Sequence, residues 1–596
     1  MTDKWSEGVL LLAPQYYMYL AVDSAGTYRP GISSNPRLEA YLLDGLGYIE
    51  IYLVQPPQPI WVAELFLAAL KKVNHFRSPR HFIHWVKGSI TGFSPKLLLK
   101  LVRYSLSELK LMDYEAPEWG EGLSGYNLLL EEIPRFVHSG GYQLGWDPET
   151  DLQYLVFHSQ IRREAAVGLD LLGMPFCRRC GATSGIIADD CIHCGSRDCY
   201  ICMNCKTLGI SRSCQPLYSR SGVPMVTIKN STRDKSVTVK PEMEFELTQA
   251  QTRASRQLLD FLDGPDSAFL VWAVCGGGKT EVSFAVVARV LSAGGRVLFA
   301  IPRKDVVVEL KPRFEKAFPG IAVTALYGGS GGKFQDVPLT LATTHQCLRF
   351  FERFDLVILD EADAFPYQDS AMLHYAVERA RKPSGKLVIM TATPDKTLLR
   401  KVKAGGLPFV TIPARPHRKP LVVPEVFRAG IPNPVSFGEQ WTPPQFMVDF
   451  VVGLRQTGRK GLIFFPTIGL IERWGPPVIR WAKGNCLQGA VTSGPKGNAS
   501  VVKQDLRDGK LDFIVCSTIL ERGITIPNLD ILVVAADYET VFDSRTLIQI
   551  SGRAGRLGDS ARVLFVGSTV SRSMREAVEQ IRELNEEGLR LGYLDP

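Results

Sequence analysis

The stretches VWAVCGGGKT (271–280) and LVILDEAD (356–363) decide the fold. The first is an apolar run that enters a glycine-rich turn and ends in Lys279-Thr280. The second is an apolar run that ends in paired acids. Each run reads as a buried strand whose end delivers chemistry. Gly276, Gly277 and Gly278 let backbone N–H groups curl around phosphate oxygens. Lys279 then reaches the β- and γ-phosphates, and the Thr280 hydroxyl ligates Mg²⁺. Asp360 would hold the magnesium through its shell, and Glu361 would orient the attacking water. The pair predicts ATP hydrolysis. A flexible turn would account for GGGKT alone, but not for the strand before it and the acids after it.

Outward from these stretches, short apolar runs recur at 268–274, 295–301, 321–326, 339–343, 355–359 and 386–390, with helical patterns between most of them. The rhythm returns at 461–465, 511–515, 530–534 and 562–566. This predicts an α/β fold with two parallel-sheet lobes, residues 245–414 and 415–596. The proline-rich, basic stretch TIPARPHRKPLVVPE (411–425) reads as their connection. In the second lobe, QISGRAGR (549–556) places Arg553 and Arg556 three apart, on one face if helical. Guanidinium groups suit phosphate oxygens and act as fingers in phosphoryl transfer. Loops at the carboxyl ends of parallel strands are where such sheets bind ligands. Five follow here, in IPRKDVV, TTHQ, TAT, FFPT and STILERGITIP. Arg303, Thr343, Thr344, Gln346, Thr391, Thr393, Thr467 and Thr518 are therefore the expected contacts to a nucleic-acid backbone.

The 596 residues are 45% hydrophobic, a globular composition long enough for three or four domains. The net charge of +8 is a mild excess that suits a phosphate-bearing partner without requiring one. No apolar run approaches the ~20 residues that span a bilayer. The start, MTDKWSEGVLLLAP, has acids where a secretion signal has bases, so a cytoplasmic protein is expected. Residues 1–170 are rich in aromatics and leucine and read as a helical or mixed domain, with helical spacing at 61–76 and 94–112. Residues 226–244 read as a linker or short hairpin.

Residues 171–225 form a cysteine-rich module. Eight of the twelve cysteines fall between Cys177 and Cys214, and in a cytoplasmic chain they read as metal ligands. Four thiolates hold a tetrahedral Zn²⁺, so two ions are expected. Two groupings are open. The sequential one joins Cys177, Cys180, Cys191 and Cys194, leaving Cys199, Cys202, Cys205 and Cys214. The interleaved one joins Cys177, Cys180, Cys202 and Cys205, leaving Cys191, Cys194, Cys199 and Cys214. All-sulfur sites leave no open position, so the zinc is expected to be structural.

The ordered set AVCGGGKT, IPRKDVV, TTHQ, DEAD, TAT, ERGITIP and QISGRAGR resembles a two-lobe, RecA-like helicase of superfamily two. LTQAQ (247–251) is similar to the adenine-reading segment of that superfamily, with Gln251 as the reader. Ala273 stands at the first position of the phosphate-loop consensus. Longer strings, WAVCGGGKTE, PRKDVVVEL, ALYGGS, TTHQCLRF, DEADAFPY, IPARPHRKPL and TILERGITIP, resemble the ComFA family of late competence proteins of Gram-positive bacteria over roughly residues 175–590. Thr525 stands where many helicases carry an acid. The resemblance implies an ATP-driven motor that pulls single-stranded DNA through a membrane channel, working with other competence proteins at the inner face of the membrane. A homo-oligomer is a further expectation. CRRCG (177–181) and CMNC (202–205) are similar to the family's two knuckles, which implies the interleaved grouping. A replication-restart helicase of the primosome type also carries eight zinc-binding cysteines. There, however, they interrupt the second lobe, whereas these precede the phosphate loop. An ATP-gated clamp that holds DNA without moving it is the other alternative.

Overall fold

The computed structural model describes residues 14–71, 73, 76, 78–90, 99–109, 114–143, 147–170, 172–222, 238–430, 442–492, 499–518 and 526–595. Most of the 226–244 stretch and residues 519–525, which hold ERGIT and Thr525, lie outside the described residues.

Among the described residues, two parallel sheets organise the chain. The first has seven strands in the order Val323–Leu326, Leu339–Thr343, Val297–Ile301, Phe354–Leu359, Arg381–Thr391, Ala268–Ala273 and Phe409–Ile412. The second has six, in the order Glu425–Arg428, Val563–Gly567, Leu529–Val534, Lys460–Phe464, Phe513–Cys516 and Gly489–Thr492. Strands buried on both faces read as unbroken apolar runs, which is why VLFAI and FDLVIL are buried throughout. Three edge strands, Phe409–Ile412, Glu425–Arg428 and Gly489–Thr492, are additions to the expected set. They lie at or beside polar and proline-rich sequence that dilutes the apolar signal. Two of them take in the ends of the 411–425 connection.

The two faces of the first sheet are covered differently. Val297, Phe299 and Ile301 face a core with Phe284, Phe314 and Phe318 from helices Phe284–Ser292 and Lys304–Ala317 and the turn that follows. Leu298 and Ala300, the alternate residues of the same strand, face a core with Trp119, Leu128, Phe136, Leu152 and four cysteines, Cys177, Cys180, Cys202 and Cys205. The N-terminal part and the cysteine-rich module therefore cover one face of the ATPase sheet, as helices do elsewhere in such folds.

The N-terminal part is mixed. Its antiparallel sheet runs Tyr28–Ser33, Gln15–Asp23, Tyr48–Gln55, Lys100–Ser105, with helices Pro36–Asp44, Ile60–Leu70 and Pro79–Ile90. The helical reading of 94–112 is corrected here. Lys100–Ser105 pairs with Glu50–Gln55, and only Leu106–Leu109 is helical among the described residues. The β-branched and aromatic side chains of Val102 and Tyr104 favour an extended partnered segment over the local helical spacing. A second small sheet joins Tyr126–Leu129, Pro216–Arg220 and Arg162–Ala165. It draws strands from both sides of residue 170, so the cysteine-rich module leaves and re-enters the N-terminal part.

Candidate functional site

The strand Ala268–Ala273 ends in the loop 274–278, and Lys279 opens the next helix. Gly276 and Gly278 adopt φ of +81° and +78°, a region that side chains disfavour. At Gly278 a Cβ would also meet the Gln251 amide nitrogen at 2.2 Å. Gln251 is itself buried. Its Nε2 donates to the Gly277 carbonyl at 3.0 Å, and its Oε1 accepts the Thr248 N–H at 2.9 Å. The side chain expected to read adenine ties helix Gln249–Asp263 to the phosphate loop.

Across the loop, Asp360 and Glu361 follow the strand Phe354–Leu359. Glu361 takes φ of +53°, and its N–H donates to Asp360 Oδ1 at 2.8 Å. Burial pushes the Asp360 carboxyl up to about 6, opposed by Lys279 and reinforced by Glu361. A buried carboxylate with a second acid beside it suits a divalent cation such as Mg²⁺. Thr280 and Asp360 are the residues that would hold the ion.

A cleft of about 870 Å³ connects these groups to the second lobe. Gln251, residues 275–281, Asp360 and Glu361 line it from one side, and Gln549, Arg553 and Arg556 from the other. The expected helix under the two arginines is corrected: Ser544–Ser551 ends before them, capped by Gly552, and Gly555 has φ of +59°. They reach the cleft from a turn. Arg313, Arg507 and His417 line the cleft as well; His417 lies in the basic connection IPARPHRKPL, whereas nothing in the local sequence of Arg313 and Arg507 marks them.

The third acid of DEAD joins the lobes. Asp363 Oδ1 accepts Thr391 Oγ1 at 2.7 Å, and Oδ2 accepts Thr393 Oγ1 at 2.9 Å. Gln549 Nε2 of the second lobe donates to the same Oδ2 at 2.8 Å, while its Oε1 accepts the Cys275 thiol at 3.1 Å. Gln549 lies in QISGRAGR, four residues before Arg553, but its partner is far away in the sequence.

Part of the expected nucleic-acid set is buried. Thr343, Thr344, Gln346, Thr391 and Thr393 do stand at the carboxyl ends of strands, but their side chains are buried. The TAT hydroxyls turn inward to Asp363. Gln346 Oε1 is taken by Arg349. Half-buried groups at the same edge are Arg303, His345, Thr467 and Thr518. Thr467 also caps its helix through the Leu470 N–H at 3.3 Å.

The eight clustered cysteines form two groups, Cys177, Cys180, Cys202, Cys205 and Cys191, Cys194, Cys199, Cys214, the interleaved arrangement. Sulfur separations are 3.6 Å for Cys177–Cys205 and Cys180–Cys202 and 3.8 Å for Cys191–Cys214. A tetrahedron with Zn–S bonds of about 2.3 Å has edges of about 3.8 Å, so both groups fit the ion. They differ in setting: the first packs into the core under the ATPase sheet, whereas the second forms a small cluster of its own. Arg179, inside the first knuckle, donates to Glu132 Oε2 at 2.8 Å, and Arg349 Nε donates to Glu132 Oε1 at 3.0 Å. One buried carboxylate thereby links the N-terminal part, the knuckle and the turn after TTHQ.

Two parallel-sheet lobes with a phosphate loop, paired acids and two arginines around one cleft define an ATP hydrolase of the helicase class, superfamily two. The family model described as the res subunit of type III restriction enzymes matches residues 244–396, and the helicase conserved C-terminal domain matches residues 444–558. The chain is 36% identical over 415 residues to the competence protein ComFA of Bacillus subtilis, covering 69% of this chain and 85% of that one. It is 35% identical over 420 residues to the ComFA of Streptococcus pneumoniae, covering 70% and 91%. The chain belongs to the competence protein ComFA family. Among solved structures, S. cerevisiae Dbp5 bound to RNA and ADP BeF3 aligns with a TM-score of 0.41 and 17% identity, over 57% of this chain and 88% of that one. Among the described residues no helix is long and apolar enough to cross a membrane.

Proposed function

We propose that this chain is a motor that uses ATP to move along single-stranded DNA and draws DNA into the cell during competence. The observation that carries the reading is the cleft lined from both lobes and bridged by Gln549 and Asp363. A site assembled from two bodies makes their approach depend on the nucleotide, and alternate opening and closing steps a strand held across both.

In this reading the phosphate loop and Lys279 hold the β- and γ-phosphates. Thr280 and Asp360 hold Mg²⁺, which neutralises phosphate charge when bound. Glu361 orients the attacking water, and Arg553 and Arg556 stabilise the charge that develops in transfer. The link from Asp363 to Thr391, Thr393 and Gln549 carries the state of the cleft to the strand edge. Arg303, His345, Thr467 and Thr518 meet the DNA backbone there, together with main-chain N–H groups. Both cysteine groups hold zinc and serve structure. The partners are single-stranded DNA, a membrane DNA-uptake channel and other competence proteins. The chain works at the inner face of the membrane, and a homo-oligomer fits a channel-bound motor.

The test is ATP hydrolysis measured in parallel with no DNA, single-stranded DNA and duplex DNA. Single strands are expected to stimulate most. Equal rates in all three arms would overturn the reading.

A further inference from the structure

The connection between the lobes carries an arginine without a role in the scheme above. Arg415 lies just beyond the strand Phe409–Ile412 and is 2% exposed. Its three nitrogens all donate to backbone carbonyls. Nε reaches Cys275 O at 2.9 Å, Nη1 reaches Ala554 O at 2.9 Å, and Nη2 reaches Gly552 O at 2.8 Å. Cys275 belongs to the phosphate loop, and Gly552 and Ala554 flank Arg553. One side chain therefore spans the seam between the loop that holds phosphates and the turn that carries both cleft arginines.

The seam is closely fitted. A Cβ on Gly552 would lie 2.5 Å from Cys275 Cβ and 2.8 Å from its sulfur. A Cβ on Gly276 would lie 3.5 Å from Arg556 Nε and 3.7 Å from Arg415 Nε. The guanidinium fork is planar and rigid, so three bonds set the relative position of both loops. Burial works against its charge, and so does Arg556 nearby, while Asp559 favours it. A buried cation is tolerated where its donors are satisfied, and this seam satisfies all three nitrogens in one register.

We propose that Arg415 is a positioning residue for ATP hydrolysis: it locks the phosphate loop to the Arg553–Arg556 turn, so that both arginines meet the phosphates in one register. The proposal rests on the assignment of Arg553 and Arg556 to the phosphates. Arg415 acts through them, and its place in the connection makes the seam respond to the angle between the lobes.

The test compares full-length R415Q, R415K, G552A and R553A with the parent chain. R415Q is expected to lower kcat by about 10²-fold while KM for ATP shifts by less than about threefold, the mark of misplaced rather than missing binding groups. R415K should fare no better despite its charge, because one ammonium does not reproduce a planar fork on three carbonyls. G552A pries at the same seam from the other side and should show the same split. Small-angle scattering of the nucleotide-free protein should give a larger radius of gyration for R415Q. Parental kcat in R415Q and R415K beside an inactive R553A would overturn the proposal, as would a rise in KM that matches the fall in kcat. Should R415Q fail to fold, R415K and G552A decide alone. Parental kcat in R553A would instead remove the arginine assignment, a separate failure.

Discussion

Asp363 receives at least three side-chain donors on its two oxygens, one of them from the opposite lobe. Asp363→Asn replaces one acceptor with a donor, so at least one buried hydroxyl or amide loses its partner at about 1–3 kcal/mol. The expected outcome is a lower melting temperature together with reduced nucleic-acid stimulation; an unchanged melting temperature would contradict the contact. Lys279→Ala should lower hydrolysis by at least about 10²-fold, as the loss of one preorganised charge does, with fold and zinc content intact. Metal analysis and circular dichroism on the same sample check both parts. Arg303 and Arg553 should separate. Arg303→Ala is expected to weaken DNA stimulation and leave DNA-free hydrolysis nearly unchanged, whereas Arg553→Ala should keep DNA binding and lose turnover. Parallel loss of binding and activity in both variants would refute that division.

The element that ties the molecule together is the first knuckle. Its four cysteines share a core with strands of the ATPase sheet, and its Arg179 shares Glu132 with Arg349. Glu132→Ala would leave two buried guanidinium groups facing one another, and losing one partner of a buried ion pair costs about 3–5 kcal/mol. A melting curve measures it, and a shift no larger than that of a surface variant would contradict the network. The purified chain should carry two zinc ions. Cys177→Ser with Cys180→Ser should release one and destabilise the ATPase lobe, whereas Cys191→Ser with Cys194→Ser should release the other with a local effect. Much of this is legible in the sequence. The phosphate loop, the acids and the GRAGR turn each declare themselves within a few residues, because strand, turn and charge lie side by side in the sequence. The cysteine grouping was open on spacing alone, since four thiols from either pairing make a tetrahedron, and the family resemblance supplied the preference. The inward turn of Thr391 and Thr393, the Gln549–Asp363 bond and the sheet shared across residue 170 depend on partners many residues away, which local pattern does not encode. Residues 100–105 misread because their apolar spacing suits a helix, while their strand partner lies at 50–55.

At the scale of the whole molecule, the lobes meet at the cleft and again where the C-terminal helix Arg572–Arg590 reaches back to the first sheet, with Thr411 Oγ1 donating to Glu587 Oε1 at 2.6 Å. The 411–425 connection runs between the two contacts. The proposed motor would bind a strand through its phosphates, so affinity should fall with salt at a log–log slope of about −0.7 per neutralised phosphate, and mixed and pyrimidine-only strands should bind alike. Displacement of streptavidin from biotin-ended single-stranded DNA separates movement from clamping. Displacement should require ATP hydrolysis, be lost in Lys279→Ala and quicken with ATP concentration. DNA-stimulated hydrolysis that leaves the streptavidin in place, whichever end carries the biotin, would contradict movement and identify a clamp.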